Sequence, residues 1–181
     1  MRIIGGKAKG HGLAMVKSKG TRPTSDRVKE SMFNILHNDL TGFKVLDLFA
    51  GVGNIGLESL SRGAASVTFV DMSQECIKII KRNLEHTKLN NGKIKIIKSD
   101  FKKVLKNSTE QYDFIFLDPP YATNYAGIAL ELIRSYNLLA NEGIVVVEHD
   151  KHTTFNNWEP YRQKKYGQTY LSFFCNEGEQ K

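Results

Sequence analysis

The sequence predicts an α/β protein built on a seven-stranded, mostly parallel, doubly wound sheet. Apolar strands and amphipathic helices alternate from residue 44 onward, which implies parallel pairing with right-handed crossovers. A glycine-rich motif follows the first strand, as it does in sheets that bind a ligand at their carboxyl edge. The alternation ends in two adjoining strands around Gly167, which predict a closing antiparallel hairpin.

Residues 1–40, which precede the alternation, are rich in glycine and in basic residues. Segments 2–4 and 13–16 are mainly apolar and enclose several glycines, a pattern that predicts a small hairpin. A helix is expected to start at Thr24 or Ser25, because both residue types are good N-caps. Its apolar positions recur at helical spacing: Val28, Met32, Ile35 and Leu36.

Residues 41–181 are expected to form the core of a single domain that also includes the N-terminal hairpin and helix. The predicted strands are 44–49, 66–71, 93–98, 112–118, 143–148, 162–166 and 169–174. The predicted helices are 54–62, one opening at Ser73, and 125–139.

The composition indicates a cytoplasmic globular protein without a metal site. Of its 181 residues, 40% are hydrophobic and 25% are charged, and no apolar run reaches the roughly 18 residues that span a bilayer. The N-terminus has no apolar region of the kind found in signal peptides. Cys76 and Cys175 form no CxxC pair and the histidines are scattered, which predicts reduced thiols and no metal ligands. No coiled-coil pattern is present, so we expect a monomer.

The charge distribution favours a polyanionic partner. The net charge is +7, and Asp26 is the only acid in the first 29 residues, where basic residues are concentrated. Such a cluster can neutralise phosphates and release their counterions. The residues expected to contact the phosphates of such a partner are Arg2, Lys7, Lys9, Arg22 and Arg27.

The first predicted strand leads into a complete GxGxxG motif, formed by Gly51, Gly53 and Gly56. Asp71 lies 20 residues beyond Gly51, where an acid can accept hydrogen bonds from ribose hydroxyls. The glycines alone would suit NAD as well as any other adenosine cofactor. Asp47, just before the loop, would repel a pyrophosphate but attract the cationic amino acid and sulfonium of S-adenosylmethionine. The motif therefore favours S-adenosylmethionine.

A third acid, Asp100, follows the third strand, so three consecutive strands end in a carboxylate. Asp100 could accept a hydrogen bond from an adenine amino group, and Phe101 could pack near the ring. A solvated turn is an equally good interpretation of this pair. Because the carboxyl ends of parallel strands share one edge, three acids there fit a ligand with an ammonium, a ribose and an adenine.

The fourth strand ends in Asp118-Pro119-Pro120-Tyr121, the most specific motif in the chain. The two prolines fix the turn and lack amide donors, which leaves backbone carbonyls to accept from a ligand. An aromatic amine is a poor nucleophile, and hydrogen bonds to Asp118 and to the Pro119 carbonyl would aim its lone pair at a methyl donor. Tyr121 offers a face on which an extruded base can stack. The alternative is a structural proline turn with a surface tyrosine.

Two motifs resemble the Rossmann-like class I amino-methyltransferases: Phe49-Ala50-Gly51-Val52-Gly53 after Asp47, and Asp118-Pro119-Pro120-Tyr121. Arg2-Ile3-Ile4-Gly5-Gly6 and residues 21–33 are similar to the RsmD family of bacterial 16S ribosomal RNA guanine-N2 methyltransferases. Residues 51–62, 143–148 and 165–170 extend the likeness along nearly the whole chain. Val52 replaces the serine that the family often has, at a position where the backbone binds.

The resemblance implies S-adenosylmethionine as cofactor, bound by the loop residues with Asp71 and Asp100. It implies that Asp118 and Pro119 hold the amine of a guanine. The implied partner is 16S ribosomal RNA, within an assembled or partly assembled 30S subunit.

The residues alone leave three other interpretations of the function open. A DNA adenine or cytosine amino-methyltransferase uses the same proline turn, but usually carries a target-recognition insertion, and no segment here is large enough for one. Enzymes that methylate a protein glutamine more often have asparagine in place of Asp118. A non-catalytic module that binds a nucleotide or RNA belongs to a different class.

Overall fold

The computed structural model describes residues 1–16, 26–36, 38–89, 92–121, 123–155 and 158–176. Its helices are α1 (Asp26–Leu36), α2 (Asn54–Ser61), α3 (Gln74–Thr87), α4 (Phe101–Asn107) and α5 (Tyr125–Ser135). Its strands are β1 (Lys44–Asp47), β2 (Ser66–Asp71), β3 (Lys93–Lys98), β4 (Tyr112–Leu117), β5 (Leu139–His149), β6 (Arg162–Tyr166) and β7 (Thr169–Phe174). The predicted start of α1, at Thr24 or Ser25, lies outside the described residues. Within those residues, no helix has the length and apolarity needed to cross a membrane.

The seven strands form one sheet in the order β3-β2-β1-β4-β5-β7-β6. Strands β1 to β5 pair in parallel, whereas β7 runs antiparallel to both β5 and β6. The chain winds from β1 out to β3 and then returns to β4 on the other side of β1. Open α/β sheets bind their ligands in the crevice at the carboxyl ends of such a reversal. The predicted fold class, including the closing hairpin, is confirmed.

Residues 1–16, which we call the arm, form a hairpin with less strand pairing than the sequence predicts. Its pairing is one antiparallel bridge between Arg2 and Gly12 rather than two regular strands. The Ile3 amide donates to the His11 carbonyl across this bridge, at 3.0 Å. Ile3 and Leu13 are buried in the same apolar cluster as residues of the sheet. The arm is therefore packed against the core.

The strands alternate between two apolar clusters, one on each face of the sheet. One cluster contains Val45, Phe69, Phe116 and Val146 together with the arm, so we call this side the arm face. The other cluster contains their neighbours in sequence: Leu46, Val70, Ile115 and Val147. This two-residue period sets the side on which each residue at a strand end projects.

The main differences from the sequence prediction concern α4, α5 and β5. Helix α4 was not predicted, since Asp100 and Phe101 were interpreted either as adenine contacts or as a solvated turn, whereas Asp100 caps this helix of 7 residues. Helix α5 ends at Ser135 rather than near residue 139, because Asn137 adopts a left-handed conformation with φ of 51° that stops the helix. Strand β5 accordingly begins at Leu139, earlier than predicted.

Candidate active site

The segment that leads from β1 into the first turn of α2, residues 49–56, contains three glycines, and we call it the glycine loop. Gly51 and Gly53 have φ of 54° and 82°, a left-handed conformation that a side chain disfavours. A Cβ on Gly56 would lie 2.2 Å from a ring carbon of Phe69, so only glycine lets α2 approach β2 this closely. A Cβ on Gly51 would meet nothing within 4 Å. The loop therefore presents open backbone at the carboxyl edge, as a bound adenosine cofactor requires.

Asp47 ends β1 beneath the glycine loop and is only 1% exposed. Its Oδ2 accepts a hydrogen bond from the Gly56 amide at 2.9 Å, which ties the strand end to the first turn of α2. Burial raises the pKa of Asp47 to about 7, helped by the charge of Asp71 and opposed by the Gly56 bond. A cation near this carboxyl group would favour its ionised form.

Asp71 joins the end of β2 to the glycine loop. Its Oδ2 accepts from the Gly51 amide at 2.8 Å and its Oδ1 accepts from the Ser73 amide at 2.7 Å. Each carboxylate oxygen has a second acceptor site, so a ribose hydroxyl could still bind. Ala50 is held to the same strand, because its amide donates to the Val70 carbonyl at 2.9 Å. Asp71, the residue expected to bind the ribose, thus also positions the glycine loop.

Asp100 and Phe101 lie at the start of α4, on the same edge of the sheet. Oδ1 of Asp100 accepts from the Lys102 amide at 2.8 Å, so this carboxylate is first of all a helix cap. The Phe101 ring packs against two others, with centroids 5.0 Å from Phe49 and 5.2 Å from Tyr125. Three aromatic rings beside the glycine loop could form one wall for an adenine. Sequence analysis missed Tyr125, which only the tertiary fold brings here.

Asp118 follows β4, next to the end of β5. Burial raises the pKa of Asp118 well above its usual range, and the charges of Glu148 and Asp47 raise it further. Glu148 is 3% exposed and follows Val147, which pairs with Leu117 across the two strands. Asp118 and Glu148 are therefore neighbours in register.

Four carboxylates share the arm face of this edge: Asp47, Asp71, Asp118 and Glu148. Each lies two residues beyond a member of the arm-face cluster, namely Val45, Phe69, Phe116 and Val146. Sequence analysis did not assign a role to Glu148. The signal was available, since predicted strand 143–148 ends in an acid as the earlier strands do.

The two prolines after Asp118 differ in their surroundings. Pro119 is buried and Pro120 is exposed. The Pro120 carbonyl accepts from the amide and the hydroxyl of Thr123, at 3.1 and 2.7 Å, so the expectation that both carbonyls are left for a ligand is wrong for Pro120. Tyr121 is 45% exposed. Burial and the charges of Glu148 and Asp118 raise the pKa of Tyr121 to about 12, so it stays neutral.

Of the basic residues expected to contact RNA, four are described, and their side chains are exposed: Arg2, Lys7, Lys9 and Arg27. Arg22 lies outside the described residues. Arg2, Lys9 and Arg27 line one cavity of about 330 Å³, together with Asp26 and Glu30. Arg2 forms an ion pair with Asp26 at 3.1 Å. The arm and α1 thus form a mixed-charge surface, less uniformly basic than the sequence of the segment indicates.

The strand order, the glycine loop and the acidic edge define a class I methyltransferase fold whose cofactor is S-adenosylmethionine. The family model described as conserved hypothetical protein 95 matches residues 1–175, and the chain belongs to this family.

Several curated relatives are named ribosomal RNA small subunit methyltransferase D. The one from Haemophilus influenzae is 36% identical, over 92% of this chain and 89% of its own length. The one from Escherichia coli is 32% identical, over 99% and 91% respectively. A solved structure, yhhF from Escherichia coli, is 32% identical with a TM-score of 0.85 and covers 99% of both chains. The resemblance found in the sequence is therefore confirmed at the level of the family.

Proposed function

We propose that this protein transfers a methyl group from S-adenosylmethionine to the exocyclic N2 amine of a guanine in 16S ribosomal RNA. The observation that carries the proposal is the Asp118-Pro119 turn, which follows the strand next to β1 and shares its edge with the glycine loop. The names of the relatives support ribosomal RNA of the small subunit as the substrate. Such a substrate would place the protein in the cytoplasm, and we propose that it acts there as a monomer.

The cofactor is held by residues of three strand ends. The glycine loop, from Phe49 through Ala50, Gly51 and Gly53, offers its backbone to the amino acid portion. Asp47 lies beneath that portion and attracts its positive charge, and Asp71 accepts from the ribose. The second oxygen of Asp100 and the ring of Phe101 receive the adenine. When bound, S-adenosylmethionine supplies an electrophilic methyl group on a sulfonium.

The amine is held by Asp118 and Pro119. The Asp118 carboxylate and the Pro119 carbonyl each accept one N–H, which orients the amine lone pair and favours its pyramidal form. As the nitrogen–methyl bond forms and the sulfur–methyl bond breaks, the amine becomes positively charged. One of its protons then passes to Asp118, whose raised pKa makes it a better acceptor than an ordinary carboxylate.

The base and the RNA backbone are held outside this edge. Tyr121 has the exposure to stack on an extruded guanine, and it follows the rigid turn formed by Pro119 and Pro120. The exposed cations of the arm and α1 would neutralise phosphates flanking the target. The same arrangement supports residues 1–40 as the RNA-docking part of a single domain and residues 41–181 as its catalytic core.

Isotope transfer tests the proposal. Radiolabelled S-adenosylmethionine is offered with 30S particles lacking the modification, naked 16S RNA, DNA and a protein extract. We expect label on 16S RNA, as N2-methylguanine after digestion and chromatography. Label on DNA would favour a DNA amino-methyltransferase, and label on protein a glutamine methyltransferase. Cofactor binding without transfer to any of the four would favour a non-catalytic module.

A further inference from the structure

Asn83 of α3 lies between the arm and the glycine loop and bonds to both. It is 1% exposed. Its Oδ1 accepts from the Ala14 amide at 2.8 Å, and its Nδ2 donates to the Ala14 carbonyl at 3.2 Å. The same Nδ2 donates to the Val52 carbonyl at 3.0 Å. One buried side chain therefore pairs with the arm as a neighbouring strand would, and also holds the glycine loop.

Val52 is a position at which such a bond restricts the loop. It stands between Gly51 and Gly53, both left-handed, and glycine has the widest conformational freedom of any residue. A hydrogen bond to the carbonyl between them fixes the orientation of that peptide. If the amide of Asn83 turned away, the loop would lose this restriction and Ala14 would lose both of its bonds to α3.

A second junction holds the other end of the arm. Nζ of Lys29, fully buried, donates to the Arg2 carbonyl at 2.7 Å and to Oδ1 of Asn54 at 2.8 Å. Lys29 also forms an ion pair with Glu58 at 3.0 Å, and Glu58 accepts from the Ile4 amide at 2.9 Å. The start of the arm is thus fixed by buried charges. Near its other end, the backbone of Ala14 is bonded to Asn83.

We propose that Asn83 is a positioning residue through which the arm and the glycine loop order each other, so that RNA and cofactor raise each other's affinity. The RNA half of this inference rests on the proposed function. RNA that orders the arm keeps the Asn83 amide aimed at Val52, so the cofactor meets a loop that is already ordered. By linkage, cofactor that orders the loop favours the RNA-binding conformation of the arm to the same extent.

The test is the dissociation constant of S-adenosylhomocysteine, which cannot transfer a methyl group, measured by calorimetry with and without saturating 16S RNA transcript. For the unchanged protein we expect the RNA to tighten binding by about fivefold or more, the lower range of measured allosteric couplings. In Asn83→Ala the ratio should fall close to one. A ratio near one in the unchanged protein, or an unchanged ratio in Asn83→Ala, would overturn the inference.

Thr87→Val is the matched control. Thr87 lies one turn further along α3, is 4% exposed, and donates its hydroxyl to the Asn83 carbonyl at 2.7 Å. The substitution removes a buried hydrogen bond within the same helix. It leaves the bonds of the Asn83 side chain to the arm and to the glycine loop in place. Thr87→Val should lower stability and keep the RNA-dependent ratio, whereas a purely structural role for Asn83 predicts that both variants behave alike.

Hydrogen exchange of the unchanged protein tests the same coupling without a variant that could fail to fold. We expect S-adenosylhomocysteine to slow exchange of the Ala14 amide, which is bonded to Asn83 and not to the ligand. Unaltered exchange at Ala14 with the ligand bound would contradict the coupling. This measurement contains no RNA, so it stands even if isotope transfer shows that the substrate is not ribosomal RNA.

Discussion

Oδ2 of Asp71 accepts a hydrogen bond from the Gly51 amide at 2.8 Å, so the acid at the end of β2 holds the loop that it is expected to serve. An adenosine cofactor would therefore depend on Asp71 twice, through the ribose and through the shape of the loop. Loss of the side chain removes both contributions at once.

Asp71→Ala should weaken S-adenosylmethionine binding by at least about 1.5–3 kcal/mol, the usual worth of a hydrogen bond to a charged group. Calorimetry gives the affinity directly. Ser73→Ala is the control, because it removes the hydroxyl that caps α3 through the Cys76 amide and leaves the loop bonds intact. That variant should lose about 1 kcal/mol of stability with unchanged affinity. Unchanged affinity in Asp71→Ala would place the ribose contact elsewhere.

Cofactor affinity should depend on pH through Asp47. Burial raises its pKa to about 7 in the free protein, and a cationic ligand favours the ionised form. Binding should therefore release a proton and tighten as the pH rises from about 6 to about 8, by up to about tenfold per unit below the pKa. Asp47→Asn keeps an acceptor for the Gly56 amide but cannot titrate. Comparing the pH dependence of cofactor affinity in the two proteins separates the titration of Asp47 from that of the ligand's own amine. Identical pH profiles would exclude a role for Asp47 in this dependence.

Glu148 should influence the pH below which the rate of methyl transfer falls, the acid limb of the pH–rate profile. Transfer requires ionised Asp118, so the rate should fall as the pH drops through the raised pKa of that group. Glu148→Gln removes a neighbouring negative charge, which lowers this pKa and moves the acid limb to lower pH. Asp113→Asn is the control, since Asp113 accepts from the Lys44 amide near the start of β4, away from the carboxyl edge. An acid limb that does not move in Glu148→Gln would contradict the proposed pairing.

The exposed cations beside the cavity should contribute to RNA affinity. Lys9→Ala combined with Arg27→Ala should weaken binding of 16S RNA and lower the log–log salt slope by about 0.7–0.9 for each lost phosphate contact. Lys44→Ala combined with Lys93→Ala removes as much charge from the opposite edge of the sheet, where both lysines are exposed. Filter binding at several salt concentrations compares the two. Equal slopes would mean that RNA docks on another surface.

Much of the fold was predictable because local signals agree with the tertiary structure. Strands β2, β3, β6 and β7 have the predicted bounds, since β2, β3 and β7 are short apolar or alternating runs and β6 adjoins β7 across the turn at Gly167. Helix α4 was missed because it is short and its cap, Asp100, is also an acid at a strand end. The boundary between α5 and β5 was misplaced because Leu138 and Leu139, which are buried, are apolar residues that suit a helix as well as a strand.

The site was predictable where neighbours in sequence are also neighbours in space. The glycine loop and the turn after β4 are of this kind. Glu148, Asn83 and Tyr125 act beside residues far away in the chain, and their positions follow from the strand order and helix packing alone. The acid at the end of β5 was visible in the sequence, but only the pairing of β5 with β4 places Glu148 beside Asp118.

Methyl transfer by Asp118 variants is the most direct test of the account. Single-turnover transfer to 30S particles is measured at saturating cofactor, so that cofactor binding does not enter the rate. Asp118→Ala should fold, bind S-adenosylmethionine, and lose activity on the order of 100-fold or more, because one of the two acceptors that orient the amine, and the group that takes its proton, are then missing. Asp118→Asn should retain more activity, since an amide oxygen still accepts one N–H. A fully active Asp118→Ala enzyme would contradict the catalytic assignment and leave the proline turn a structural strand end.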